Sequence, residues 1–254
     1  LTGAEHVHPY YDEAKPFLMN LPLERLPNPN SKHAVDKYLQ LLNYLGFQKC
    51  LISFEFPIAA KYVDEAKLTV TQYDLPDRRL VAIIPTSSKQ VKDWPKKNLH
   101  ETIDALINDL HYDVVVFGKD KTANLDGMPV LDLRNRTSFL ADAYLLRYSG
   151  LFDITIGVDT GMMHIAGSVS SNEDGSYDKF TKGNRTISLF GPSNPESYAP
   201  YDPTGRFNII IHPDLNGIRM NKRKFAEDYR VRDYMAEITS KMILDNVEKH
   251  ADEI

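Results

Sequence analysis

The residues able to do chemistry gather in three short stretches. In Pro85-Thr86-Ser87-Ser88-Lys89-Gln90-Val91-Lys92-Asp93-Trp94-Pro95, adjacent hydroxyls and lysines stand just past an apolar run. Short O–H and N–H donors together with a point positive charge are what a phosphate group needs. An ordinary polar turn has the same composition, and it is the place after a buried strand that favours the phosphate reading. In Gly157-Val158-Asp159-Thr160-Gly161-Met162-Met163-His164-Ile165-Ala166, an Asp precedes Thr-Gly, and a His follows about one helical turn later. That is the pattern of a helix start whose free N–H groups can hold an anion. Asp159 is placed to accept from hydroxyls, and His164 projects toward the same space. The alternative makes Asp159 or Thr160 a helix cap and His164 a buried, hydrogen-bonded histidine. The third stretch, Gly191-Pro192-Ser193-Asn194-Pro195-Glu196, has the composition of a sharp turn at a strand exit.

Several chemistries lack their signatures. The chain contains no Gly-x-Gly-x-x-Gly for a dinucleotide and no Gly-x-x-x-x-Gly-Lys for a nucleoside triphosphate. It has no Asp-x-Asp pair to carry a divalent cation and no Cys/His cluster for zinc, so no metal or other cofactor is expected. His6 and His8, with Asp12 and Glu13 nearby, read as solvated residues of an irregular terminus. The sequons at Asn135 and Asn184 read as chance in a chain with no secretory signal.

The elements that must position these stretches follow from periodicity. Leu80–Ile84, Val114–Phe117, Val130–Leu133, Phe152–Val158, Thr186–Phe190 and Phe207–Ile211 read as strands. Between them, Leu99–Leu110, Ser138–Arg147 and Met162–Val169 have helical spacing. Apolar runs alternating with helices predict a doubly wound α/β domain on a parallel sheet, over about residues 75 to 215, with ligands beyond the carboxyl ends of the strands. Upstream, Ser31 caps an expected helix through Val35, Tyr38, Leu39, Leu42 and Leu45 that Gly46 ends. Residues 1 to about 32, with Pro9, Pro16, Pro22, Pro27 and Pro29, are expected to be irregular. The polar stretch Ser170–Gly183 reads as a solvated insertion or as a lid beside the site, and Val231–Glu248 as a C-terminal helix.

Composition narrows the setting. In 254 residues there are 30 Lys plus Arg against 35 Asp plus Glu, a formal charge of −5, and 42% hydrophobic residues. This mildly acidic balance offers nucleic acid no general attraction, and no run approaches the ~20 apolar residues of a membrane span. The single Cys50 cannot pair within the chain, so the chain is expected to belong in a reducing compartment or to need no crosslinks. Arg219, Lys222, Arg223 and Lys224 read either as a solvated loop or as a contact to an anionic lipid surface. Leu1 stands where an initiator Met would, so the chain is expected to be part of a longer polypeptide.

Taken together, three motifs resemble glycosyltransferase family 9, the ADP-heptose:lipopolysaccharide heptosyltransferases. They are Ile83–Ser88 with Lys92-Asp93-Trp94-Pro95, then Val158–Ala166, then Ile187–Ser193. The resemblance implies a two-domain GT-B fold. Residues 1–70 would be the tail of an incomplete N-terminal acceptor domain with a linker helix, 71–230 a Rossmann-like donor-binding domain, and 231–254 a C-terminal helix. It implies inverting, metal-independent transfer of a heptose-like sugar from an ADP-sugar to a lipopolysaccharide-core or related glycan acceptor, in the cytoplasm or at the inner membrane. Ser87, Ser88 and Lys92 are similar to the family's diphosphate-binding group, with Thr160 and Gly161 adding backbone donors. Asp159 and His164 are similar to contacts on the donor sugar or its phosphates. Lys92, Asp159 and His164 are then the expected catalytic residues, and Asp120 is similar in place to a carboxylate near the nucleotide ribose. The family's general base, an early Asp of the N-terminal domain, has no match here. Two other readings stay open: a nucleotide-sugar-binding module without transferase activity, and a sugar-nucleotide epimerase.

Overall fold

A run such as Leu80–Ile84 has no polar face to turn to water, so a sheet built from such runs must be covered on both sides. The computed structural model describes residues 33–44, 52–75, 79–119, 124–172, 176–178, 185–213 and 233–251, and it contains that sheet. The chain forms two units, Leu1–Leu51 and Ile52–Ile254. In the first, α1 (Ala34–Tyr44) occupies the expected helix; Ser31 and Gly46, its expected cap and stop, lie outside the described residues.

The second unit runs through α2 (Ala60–Gln72), β1 (Leu80–Ile84), α3 (Lys96–Asn108), β2 (Asp113–Val116), β3 (Leu131–Asp132), α4 (Phe139–Arg147) and β4 (Ile154–Val158). It continues with α5 (Gly161–Gly167), β5 (Ser170–Ser171), β6 (Tyr177–Asp178), β7 (Arg185–Leu189), α6 (Pro195–Tyr198), β8 (Asn208–Ile211) and α7 (Ser240–Ala251). Six strands form one sheet in the order β3-β2-β1-β4-β7-β8, every neighbouring pair parallel.

Side chains alternate between two layers, as the pleat requires. Val81 and Ile83 of β1, with Ile154, Ile156 and Val158 of β4, pack against Leu99, Ile103 and Leu106 of α3 and Ile243 and Val247 of α7. Leu80, Ala82 and Ile84 point the other way, toward Ala66 of α2, Leu145 and Leu146 of α4 and Met162 and Met163 of α5. The result is a three-layer, doubly wound α/β unit, as the alternation of strands and helices predicts.

Four details differ from the sequence expectation. α2 falls where no element is expected: of its thirteen residues only Ala66 and Thr69 are buried, which leaves little apolar stripe to read. Its anchor is polar, with the Ser138 backbone N–H and hydroxyl donating to Glu65 Oε1 and Oε2 at 2.6 and 2.7 Å. The polar stretch after α5 is not wholly irregular, since β5 and β6 pair antiparallel within it. Ser170 and Ser171 hydroxyls accept there from the Phe54 and Ile52 N–H groups at 3.0 and 2.7 Å. The third strand contracts to the edge pair Leu131–Asp132. The last helix starts at Ser240 rather than 231, because a turn comes first, held by the Asn98 amide donating to the Ala236 and Ile238 carbonyls. No helix among the described residues is long and apolar enough to cross a membrane.

One buried carboxyl couples this fold to pH. Asp142, 5% exposed in the first turn of α4, accepts from the Thr137 hydroxyl. Burial pushes its carboxyl up to about 7; nearby Glu65 adds to the rise, and the Thr137 hydrogen bond and Lys119 oppose it. The folded protein therefore holds this proton more tightly than the unfolded chain, and the stability it contributes is lost as pH rises from about 4 toward about 7. Urea unfolding should show the wild type losing on the order of 2–3 kcal/mol more between about pH 5 and 8 than Asp142→Asn does; parallel pH profiles would refute the assignment.

Candidate functional site

In the sheet order, β1 leads outward through β2 to β3 and β4 leads the other way through β7 to β8. The chain thus departs in opposite directions from the carboxyl ends of β1 and β4, and a crevice opens between the loops that follow them. Two of the three chemistry-bearing stretches leave from these two strands.

The loop after β1 is folded back on its own backbone. Trp94 N–H donates to the Pro85 carbonyl at 2.9 Å, and Asp93 Oδ1 accepts from the Ser87 N–H at 2.8 Å. The Ser87 hydroxyl bonds within the turn, donating to the Lys89 carbonyl and accepting from the Lys89 N–H, each at 3.0 Å. Ser88 is exposed. Trp94, 3% exposed, roots the loop among Ile83, Leu99 and their neighbours in the core. A short 3-10 turn, Gln90–Lys92, then carries the Lys92 side chain across the crevice.

There Lys92 Nζ meets Asp159 Oδ2 at 2.5 Å, with the two side chains 21% and 10% exposed. Asp159 is the first residue beyond β4. On its other oxygen, Oδ1, His164 Nε2 lies at 4.0 Å, the imidazole being 41% exposed. His164 comes from α5, whose N-cap position is Thr160 with no side-chain capping bond. The Thr160 carbonyl accepts from the Met163 and His164 N–H groups. The structure therefore brings Lys92, Asp159 and His164 into one constellation with the start of α5, and His164 is not a core histidine. Ser87 organises its own turn, and Asp120 lies outside the described residues. So do His6, His8, Asp12, Glu13, Cys50 and the basic cluster of Arg219, Lys222, Arg223 and Lys224.

Two further residues shape the site. Asp93 shapes the β1 loop, and only its nearness to Ser87 in sequence hints at this. Gly157, inside β4, lets the strand lie close to its neighbours. A Cβ there would stand 2.9 Å from Ile84 Cβ and 2.6 Å from Met163 Sδ, so the ends of β1 and β4 and the first turn of α5 converge only on a glycine. An isolated Gly in a strand pattern is the signal for such a close approach. The third stretch forms a turn into α6, capped by Asn194 Oδ1 accepting from the Glu196 N–H at 2.9 Å. His212, unremarked in the sequence, is 4% exposed and has Nε2 2.9 Å from the Gly191 carbonyl oxygen of that turn.

Chemically, the crevice offers the Lys92 ammonium, neutralised by a carboxylate on the opposite strand end, and a half-exposed imidazole beside it. An incoming phosphate can take Lys92 in exchange, which frees Asp159 to accept from hydroxyls.

The family model for glycosyltransferase family 9 (heptosyltransferase) matches residues 1–223. No curated protein matches the chain. Among solved structures, the glycosyl transferase family 9 protein of Veillonella parvula DSM 2008 is 19% identical with a TM-score of 0.70, over 91% of this chain and 62% of that one. ADP-heptose LPS heptosyltransferase II of E. coli is 18% identical with a TM-score of 0.55, over 81% and 55% of the two chains. The E. coli heptosyltransferase WaaC with ADP is 16% identical with a TM-score of 0.51, over 87% and 57%. At such identities the likeness is one of fold, and the chain spans 55% to 62% of the length of these three proteins.

The packing at Gly157 yields a direct test. Gly157→Ala forces a contact with Ile84 Cβ that cannot swing away, so thermal unfolding should show a loss of about 1–3 kcal/mol. Gly161→Ala, where a Cβ meets nothing within 4 Å, should not lower the midpoint. Equal effects would show that close packing at the crevice is not what requires a glycine at 157.

Proposed function

The chain belongs to glycosyltransferase family 9, and from that premise we propose that the crevice between β1 and β4 holds the diphosphate and sugar of an ADP-sugar donor for inverting glycosyl transfer. The observation that carries this reading is the Lys92–Asp159 pair bridging the two strand ends, 2.5 Å apart. It sets a phosphate-seeking cation and a hydroxyl-seeking carboxylate side by side. Support for ADP comes from the E. coli heptosyltransferase WaaC, solved with ADP. Support for a heptose comes from the family description.

In this reading Lys92 binds the donor diphosphate, and Ser88, with the backbone at Thr160 and Gly161, adds donors beside it. Asp159 and His164 hold the sugar and the phosphate next to it. A hydroxyl oxygen of the acceptor attacks the anomeric carbon, the bond from that carbon to the diphosphate oxygen breaks, and ADP leaves with the electron pair. The anomeric carbon inverts, and the acceptor proton passes to a base presented from the acceptor side. Charge grows on the leaving diphosphate as the bond stretches, so Lys92 stabilises the transition state more than the ground state. No metal is needed for that step when a lysine supplies the charge. The acceptor that fits the family is a lipopolysaccharide core or a related glycan, met at the cytoplasmic face of a membrane.

The chain's share of its relatives, 55% to 62% of their length, favours a second reading for this chain taken alone: a nucleotide-sugar-binding module whose acceptor half and base come from elsewhere. ADP-sugar bound without turnover in the presence of acceptor would select it. Product formed by this chain would remove it.

Calorimetry with ADP separates the roles. Lys92→Ala should weaken ADP binding by about 1–3 kcal/mol, the range for losing a hydrogen bond to a charged group. Asp159→Asn should leave ADP binding undiminished or tighter, because Lys92 loses its competing counter-ion, while the added affinity of an ADP-sugar over ADP falls. Lys92→Ala binding ADP like the wild type would overturn the assignment.

A further inference from the structure

α5 carries Gly161 and His164 at one end of the crevice, yet it is only seven residues long, roughly 10 Å at 1.5 Å per residue. A helix so short has little propensity of its own, and its position is set by what grips it. Its start is left to the crevice, since Thr160 makes no side-chain cap bond. Its end is gripped from three directions. Arg147, the last residue of α4 and 3% exposed, donates from Nη1 to the Ile165 carbonyl at 2.6 Å and to the Ser168 carbonyl at 2.9 Å. The Asn208 amide of β8 donates to the Gly167 carbonyl at 2.8 Å. Ser168 N–H donates to the His164 carbonyl at 3.0 Å, and the Ser168 hydroxyl accepts from Tyr201 N–H at 3.1 Å.

A guanidinium this deeply buried costs desolvation, and burial lowers its pKa. The free carbonyls at a helix end, where the macrodipole is negative, are a favourable place for it. We infer that Arg147 is a positioning residue for the donor site: through the Ile165 and Ser168 carbonyls it sets the axial position of α5 and thereby where Gly161 and His164 stand relative to Asp159 and Lys92. This inference rests on the reading of the crevice as a nucleotide-sugar site. The lever is short and stiff. Met162, Met163 and Ala166 pack α5 against Ile84, Leu145 and Leu146, and Gly157 lets β4 approach within contact of Met163. A shift of the gripped end is therefore carried to the crevice end rather than absorbed.

The test is ADP affinity by calorimetry on the whole chain, at a temperature where each variant is fully folded. Arg147→Met removes both hydrogen bonds, and Arg147→Lys keeps the charge on an ammonium that lacks the reach and planar geometry of the guanidinium. Leu106→Ala, in the opposite layer on α3, serves as a control for lost stability alone. Expected is a graded loss, with Arg147→Met at least tenfold weaker than wild type and Arg147→Lys in between, while Leu106→Ala stays within twofold despite a lower melting temperature. Arg147→Met within twofold of wild type, or Leu106→Ala weakened as much as Arg147→Met, overturns the inference and leaves the reading of the crevice standing. If Arg147→Met does not fold, Arg147→Lys decides: at least threefold weaker supports the inference, and anything less overturns it. A wild type that does not bind ADP removes the reading and the inference together.

Discussion

The ion pair between Lys92 and Asp159 joins the carboxyl ends of β1 and β4 at the point where the sheet reverses its winding. Each partner depends on a different part of the fold to be there. Lys92 needs the β1 loop to double back, and that is secured by Asp93 on the Ser87 N–H, by the Trp94 to Pro85 backbone bond and by the indole of Trp94 in the core. Asp159 needs β4 to lie flat against β1, and glycine at 157 makes that approach close enough. A pair at 2.5 Å, with one side chain only 10% exposed, is screened less by salt than a surface pair. It leaves the crevice close to neutral until something anionic competes for the lysine.

In the proposed donor site that competition is what gives the arrangement its use. There, a diphosphate that takes Lys92 releases a carboxylate for hydroxyl groups, so recognition of the phosphates and of the sugar would be linked through one exchange of partners. The half-exposed imidazole of His164 stands at the second carboxylate oxygen, held there by a helix whose far end is bound by Arg147, Asn208 and Ser168. The donor groups thus sit at loop tips and a helix start, where they can reach a ligand. Their accuracy comes from buried contacts one turn behind them.

On the side of the sheet that carries α2, α4 and α5, polar contacts carry an unusual share of the order. Glu65 binds Ser138 through two hydrogen bonds, Ser138 caps α4, and Asp142 is buried in the same turn. Burial favours the protonated form of the Asp142 carboxyl, and the neighbouring Glu65 carboxylate adds to the effect. This gives the turn at the start of α4 a dependence on pH near neutrality, whereas the opposite layer rests on Leu99, Ile103 and Leu106, with Asn98 and Thr102 as buried, hydrogen-bonded polar residues of α3.

Much of this was legible in the residues themselves. Strands buried on both faces announce themselves as unbroken apolar runs, as Leu80–Ile84 and Ile154–Val158 do. The three motifs sat at strand ends because βαβ order leaves them nowhere else, and Lys92, Asp159 and His164 were nameable from residue type and place. Other features were not legible, because they depend on distances across the chain. α2 shows almost no apolar stripe since its anchor is a carboxylate meeting a serine 73 positions away. The β5–β6 pair is tied by two serine hydroxyls to the backbone of Ile52 and Phe54, more than a hundred residues earlier. Sequence by itself determined which strands and helices form and which polar groups stand at the strand ends, since that is a matter of side-chain chemistry and period. Tertiary structure alone decided that Lys92 and Asp159, 67 residues apart, meet as an ion pair, that Ser87 bonds to its own turn, and that Arg147 holds α5 from behind. Hydrogen bonds are short-ranged and directional, so only the packed sheet, which sets β1 beside β4 and α4 beside α5, can say which donors and acceptors meet.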